Sequence, residues 1–268
     1  MGRAGVVDGT GARARGQAAI MSDVVLTRRS FTRRVVVVMA FGASTSWLAS
    51  AAASALVPQL PDGVPDVERA RVAQMAESAD VATRVDAVPF VARLPVFEYL
   101  LDHPEFATHI TRMLRLARYR IWQTPRGLYL DDGWGGTGYF WVVYAGNGTR
   151  LMRARGEYKH ILMPTIQGEA VTMIEYEATP AHDGKSLIRS TVSGYVKLDS
   201  RFMAIAMKMA SGAAQRKADL EARRLMKTFA RASQAIEENP AGVYEQLRQR
   251  PDVPQRELEE FGRLLSVR

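Results

Sequence analysis

The chain of 268 residues has no cysteine. That excludes disulfide staples, thiolate metal sites and a lipid-modified cysteine as a tether. Histidine is scarce too: His103, His109, His160 and His182 show no metal-ligand spacing, so no metal and no other cofactor is expected. No apolar run has the length and purity of a membrane span. The net charge of +8 is concentrated at one end: residues 1–55 hold seven arginines and two aspartates, leaving 29 basic and 26 acidic groups in the remainder. A surplus of three is too mild to point to nucleic acid. No serine sits in a nucleophile-elbow context, and the Gly-rich stretch 133–138 precedes a strand rather than a helix, so no phosphate cradle is expected there.

The most informative stretch is Thr27-Arg28-Arg29-Ser30-Phe31-Thr32-Arg33-Arg34, followed at once by an apolar run from Val35. It resembles a twin-arginine export signal, with Arg28, Arg29 and Phe31 on the family pattern and Arg33 where lysine is usual. The apolar stretch weakens through Leu48 and closes on small residues, Ala49-Ser50-Ala51 or Ala53-Ser54-Ala55. This is the three-part layout of a cleavable signal. Residues 1–55 are therefore read as an export signal, with Met21 a better-placed start than Met1 and residues 1–20 an extension. The resemblance implies a bacterial periplasmic or secreted protein, handled by the twin-arginine translocase, and anchored by its N-terminus if the signal stays uncut.

Residues 56–81 read as a linker, rich in proline to Pro65, and a short helix over Val67–Ala79. Thr83–Val91 alternates like a strand, with Pro89 placing it at an edge or an end. Pro95–Leu116 carries an apolar stripe broken at His103-Pro104, which predicts two short helices. From Ala117 to Leu198 the period is two. Gly146-Asn147-Gly148 and His182-Asp183-Gly184-Lys185 mark hairpins, so successive strands form an antiparallel meander. A long helix follows, capped by Asp199 or Ser200, with Met203, Met207, Ala210, Ala214, Ala218, Ala222, Leu225, Phe229, Ala232 and Ile236 on one face until Asn239-Pro240 stops it. The tail, 238–268, contains a short helix whose Leu258, Phe261 and Leu265 can pack back on the body.

A strand, two short helices, about six further strands and a long final helix make an α+β chain. It resembles the helix-grip fold of the START-like superfamily, which includes polyketide cyclases and lipid-transfer domains. The residues that carry the likeness are Pro95-Val96-Phe97-Glu98-Tyr99-Leu100-Leu101-Asp102-His103-Pro104-Glu105-Phe106, together with the final helix. The resemblance covers about 82–237 and implies a curved sheet wrapped around the helix with an apolar cavity between them. On that basis the cavity lining is expected from Tyr119, Trp141, Met152, Tyr158, Val192 and Gly194 of the sheet and Met203, Met207, Ala210 and Ala214 of the helix. Gly156 and Gly194 are read as leaving room on the inner face. The partner is then a hydrophobic small molecule or lipid, with transient membrane contact for a lipid cargo.

Two other readings stand beside this one. A cyclase-type enzyme would use His160, Tyr158 or a buried carboxylate, with Glu175 and Glu177 as a carboxylate pair. Ion pairing with an outward row of Arg153, Arg155 and Lys159 is the simpler account of that pair. A module with a filled core would instead dock a partner through that basic row or through the tail.

Overall fold

The computed structural model describes residues 58–161, 163–200, 204 and 211–267. The expected signal residues Arg28, Arg29 and Phe31, and the expected cavity residues Met203, Met207 and Ala210, lie outside them. Helix α1 spans Asp66–Ser78; strands β1 (Val81–Asp86) and β2 (Phe90–Ala92) follow, then α2 (Leu94–Asp102) and α3 (Pro104–Met113). Six strands come next: β3 (Arg120–Thr124), β4 (Gly127–Asp131), β5 (Gly136–Gly146), β6 (Thr149–His160), β7 (Met163–Pro180) and β8 (Ser186–Leu198). The chain ends in α4 (Ser211–Glu238), α5 (Pro240–Arg248) and α6 (Gln255–Leu265).

All pairings are antiparallel, in the order β1-β8-β7-β6-β5-β4-β3, with β2 also on β8. The expected first strand is thus two strands, split where Pro89 cannot donate to a ladder. Proline also starts both short helices, Pro95 in the first turn of α2 and Pro104 at the head of α3, where its missing N–H costs nothing. The hairpins turn where the sequence predicts. Asn147 and Gly148 both adopt positive φ between β5 and β6, as do Asp183 and Gly184 between β7 and β8.

One face of the sheet receives α2, α3 and the C-terminal part of α4. Ala222, Met226, Phe229, Ala232 and Ile236, at steps of three and four along α4, are buried against Val85, Ile174, Ile188 and Val192 of the sheet. Phe97 of α2 is the hub, with ring centroids 5.1 Å from Tyr176, 5.5 Å from Phe90 and 6.3 Å from Phe229. The segment that carries the family likeness is thus a packing segment. Leu258, Phe261 and Leu265 of α6 join the same core. The opposite face is covered in part by α1, whose Val72, Met75 and Ala76 pack on Leu151, Val171, Met173 and Tyr195.

This arrangement, a curved antiparallel sheet gripping a C-terminal helix, is an α+β helix-grip fold. Its curvature has a local cause. Gly138, Gly156 and Gly168 pair in a single row across β5, β6 and β7. A Cβ on Gly156 would stand 2.6 Å from the carbonyl oxygen of Thr137, and one on Gly168 would stand 2.5 Å from that of Lys197. Only residues without side chains let neighbouring backbones close in that far.

Candidate functional site

Directly paired residues of an antiparallel sheet point to the same face, so the register sorts the side chains. On the concave face, one row runs Leu128, Phe140, Ala154, Ala170, Val196 and Val81. The neighbouring row runs Ile121, Leu130, Gly138, Gly156, Gly168 and Leu198. The centre of both rows is small, glycine and alanine, while the flanks are large and apolar. The result is a trough with a low floor and raised sides. Ile121, Leu128, Leu130, Ala154, Ala170, Val196 and Leu198 are each only partly buried. Two rows along, Arg150, Ile174, Val192 and Val85 lie where α2 and α4 pack, and that end is filled.

Helix α4 sits toward one side of this face, on β1, β2 and β8. Its position is pinned by Asp219, whose Oδ1 accepts a hydrogen bond of 2.5 Å from the Thr83 hydroxyl.

The expected lining residues divide accordingly. Tyr119, at the entry to β3, is partly buried, and burial pushes its phenol above the usual value. Tyr158 is buried on the concave face opposite Ile166 and Gly136. Its phenol is also raised, first by burial and then by the nearby Asp132 carboxylate. Met152 packs against the main core and Val192 is part of it, so both belong to the filled end. Ala214 lies in α4, with its side chain outside the described ones.

Trp141 requires correction. It pairs with Arg153, which places it on the convex face, away from Met152. There its indole N–H donates to the Arg126 carbonyl at 2.9 Å, and Arg153 lies 5.2 Å over its ring. The glycines require correction as well. Gly156 marks a backbone close approach rather than free volume, and a Cβ on Gly194 would meet the Thr83 methyl at 3.1 Å. The room in the trough comes from the alanines and from the bend of the sheet.

No acid–base pair emerges from the expected carboxylates. Glu175 is bonded to Arg84 at 3.0 Å. The outward basic row is likewise engaged: Arg155 bonds Glu169 and Asp199 at 2.7 Å each, and Lys159 bonds Glu157 at 2.5 Å. The Gly-rich loop before β5 is closed by Asp132, whose Oδ1 accepts from the backbone N–H of Trp134 at 2.6 Å and of Gly136 at 2.9 Å. Among the described residues no cluster of three or more His, Asp or Glu is placed to hold a metal.

Sequence reasoning missed two polar depressions at the β3 edge. A cleft of about 700 Å³ lies between α3, β3 and α6, lined by His103, Glu105, His109, Asp252 and Glu257 among others. Its groups are largely engaged with one another. The His103 ring lies tilted against Tyr99 with centroids 4.2 Å apart, the Tyr99 hydroxyl donates to the Glu257 carbonyl at 2.9 Å, and His109 Nδ1 lies 3.5 Å from Asp252 Oδ2. Burial lowers the His109 pKa, partly opposed by Asp252. The second depression, of about 630 Å³, is rich in arginine.

No protein-family model and no curated protein matches the chain. Among solved structures, a conserved protein from Geobacillus kaustophilus aligns over 58% of this chain and 96% of its own, at 11% identity and a TM-score of 0.37. A hypothetical protein from Helicobacter pylori aligns over 57% and 86%, at 11% identity and a TM-score of 0.35. Ara h 8.0201 aligns over 53% and 97%, at 10% identity and a TM-score of 0.27. The helix-grip assignment rests on this chain's own strand order and helix placement.

Proposed function

We propose that the protein is an exported carrier that binds a lipid or other apolar small molecule in the concave trough. One observation carries this reading: a floor of Gly138, Gly156, Gly168, Ala154 and Ala170 between walls of Ile121, Leu128, Leu130, Val196 and Leu198, all on one face of the sheet. A surface lined by apolar groups, with Tyr158 as a polar point on the same face, has the usual make-up of a small-molecule site. Each methylene moved from water onto that surface is worth roughly 0.8 kcal/mol, so an acyl chain of ordinary length gains enough to be carried through water. Export is supported by the twin-arginine-like stretch at Arg28 and Arg29.

The test is organic extraction and mass spectrometry of the full-length protein purified without detergent. An apolar molecule is expected to co-purify, and to be lost in Ala170→Trp, which raises the floor at its centre. A clean extract from the native protein, with no uptake of added fatty acids or phospholipids, would reject the reading. Cell fractionation tests export separately: the protein is expected outside the cytoplasm, and Arg28→Lys/Arg29→Lys is expected to retain it.

A further inference from the structure

The arginine-rich groove lies beside the trough rather than in it, and the inference drawn from it does not depend on an apolar ligand. Its volume is about 630 Å³, and its lining is Arg112, Ala117, Arg118, Arg120, Asp131, Gly133 and Arg250. Four of the seven residues are arginines, brought together from α3, the segment before β3, β3 itself and the turn after α5. The carboxylates present do not balance them. Asp131 accepts the Gly133 N–H at 2.7 Å. Asp252 is shared, 3.3 Å from Arg250 and 4.0 Å from Arg112, and it faces His109 as well. Among the described residues, neither Arg118 nor Arg120 lies within ion-pair distance of a carboxylate.

Two details make this more than scattered surface charge. Arg118 is held with its guanidinium 4.9 Å over the Trp134 ring, so its side chain is ordered before any ligand arrives. Arg120 pairs with Asp131 across β3 and β4, which places its base on a rigid strand. Like charges gathered in a concavity repel one another and concentrate the local potential, and an incoming anion relieves that repulsion.

We propose that this groove binds a phosphate group. Four guanidiniums against Asp131 and the shared Asp252 leave a surplus of two positive charges. A dianionic tetrahedral oxyanion matches that surplus, whereas a carboxylate neutralises only half of it. Guanidinium forks suit phosphate oxygens in paired, charge-assisted hydrogen bonds. The groove is larger than one phosphate, which leaves room for a ligand that carries the phosphate on a larger body. Either a soluble phosphate ester or a phospholipid headgroup presents this chemistry.

Trp134 provides a local reporter. Full-length protein is titrated with pyrophosphate while tryptophan fluorescence is followed, with sodium chloride at matched ionic strength as the reference and Trp134→Phe to identify the signal. A saturable change specific to pyrophosphate is expected, weakened about tenfold or more in Arg118→Ala/Arg120→Ala and partly kept in Arg118→Lys/Arg120→Lys. Unchanged circular dichroism of both variants separates loss of the site from loss of the fold. Co-sedimentation with phosphatidylglycerol vesicles, set against phosphatidylcholine, then identifies the source. Binding that pyrophosphate competes away assigns a lipid headgroup; a pyrophosphate response without vesicle binding assigns a soluble ester. A pyrophosphate response equal to that of sodium chloride, or equal in the wild type and the alanine double variant, overturns the proposal.

Discussion

The guanidinium of Arg150 holds the carboxylate of Asp102 at two points, Nε to Oδ1 at 2.5 Å and Nη2 to Oδ2 at 3.0 Å. Arg150 sits on β6 and Asp102 ends α2, so the pair fastens the helix to the concave face at the filled end. Its two halves are unequal: the Arg150 side chain is 7% exposed and that of Asp102 39%. Removing the buried charge's partner is therefore worse than removing the charge itself. Asp102→Ala is expected to cost about 2–3 kcal/mol in urea unfolding, because it strands a buried guanidinium. Arg150→Met is expected to cost less, since Asp102 can hydrate. The reverse order would mean that the guanidinium reaches water when unpaired.

His109 gives the fold a pH dependence near neutrality. Burial holds its pKa below the ordinary histidine value, so the unfolded chain binds the proton more tightly than the folded one. Stability is then fully present above about pH 6.5 and falls as pH drops from there toward the folded pKa. His109→Gln is expected to flatten thermal stability between about pH 7 and pH 5. An unchanged slope in that window would show that the ring takes up its proton equally in both states, so that burial does not lower its pKa.

A second acid-labile contact involves Glu237 of α4. Burial raises its pKa, but Arg93 overcomes this through a 2.9 Å bond from Nε and a 3.3 Å bond from its backbone N–H, and Lys185 adds to it, leaving the pKa lowered. The contribution is present above the unfolded glutamate value, about pH 4.3, and is lost as pH falls through the lower folded value. Melting curves of Glu237→Gln are expected to differ from wild type at neutral pH and to converge with it in acid. A constant difference down to about pH 3 would contradict this assignment.

Gly156 tests the origin of the curvature. An alanine there places its methyl carbon 2.6 Å from the Thr137 oxygen, with the Gly138 Cα 3.3 Å away. Gly156→Ala is expected to destabilise by about 1–3 kcal/mol or more, whereas Gly184→Ala, whose Cβ would meet nothing within 4 Å, pays only for its positive φ. Equal costs at both sites would show that the strands can part without penalty.

The two faces of the sheet can be separated by ligand retention. Trp141→Ala acts on the convex face and is expected to leave retention of the proposed apolar ligand unchanged, whereas Val196→Glu, on the concave row, is expected to abolish it. Extracts quantified by mass spectrometry decide between them; loss from Trp141→Ala alone would move the site to the other face.

Much of the architecture is legible in local pattern. Alternation over Met152–Lys159 assigns that strand and its two faces, and steps of three and four over Ala222–Ile236 assign the buried face of α4. Trp141 was misplaced because Thr137–Ala145 is apolar on both faces, so alternation there carries no sign. Only its pairing with Arg153 settles the side. Gly156 was misread because an absent side chain looks the same in sequence whether it makes space or lets backbones meet. The arginine groove has no sequence signature at all: Arg118 and Arg120 are near neighbours, but Arg250 joins them through the return of α5 and α6 to the core.

Among the described residues β1 is the first strand made, yet its partner β8 is the last, with Val81 opposite Val196. β1 therefore stays without its ladder partner until more than a hundred further residues have been synthesised. Sheet closure is consequently a late folding event, delayed by the search that joins distant segments. Truncation anywhere before β8 would leave β1 without a neighbour, and a nascent chain stalled there would display a long sticky margin to others of its kind.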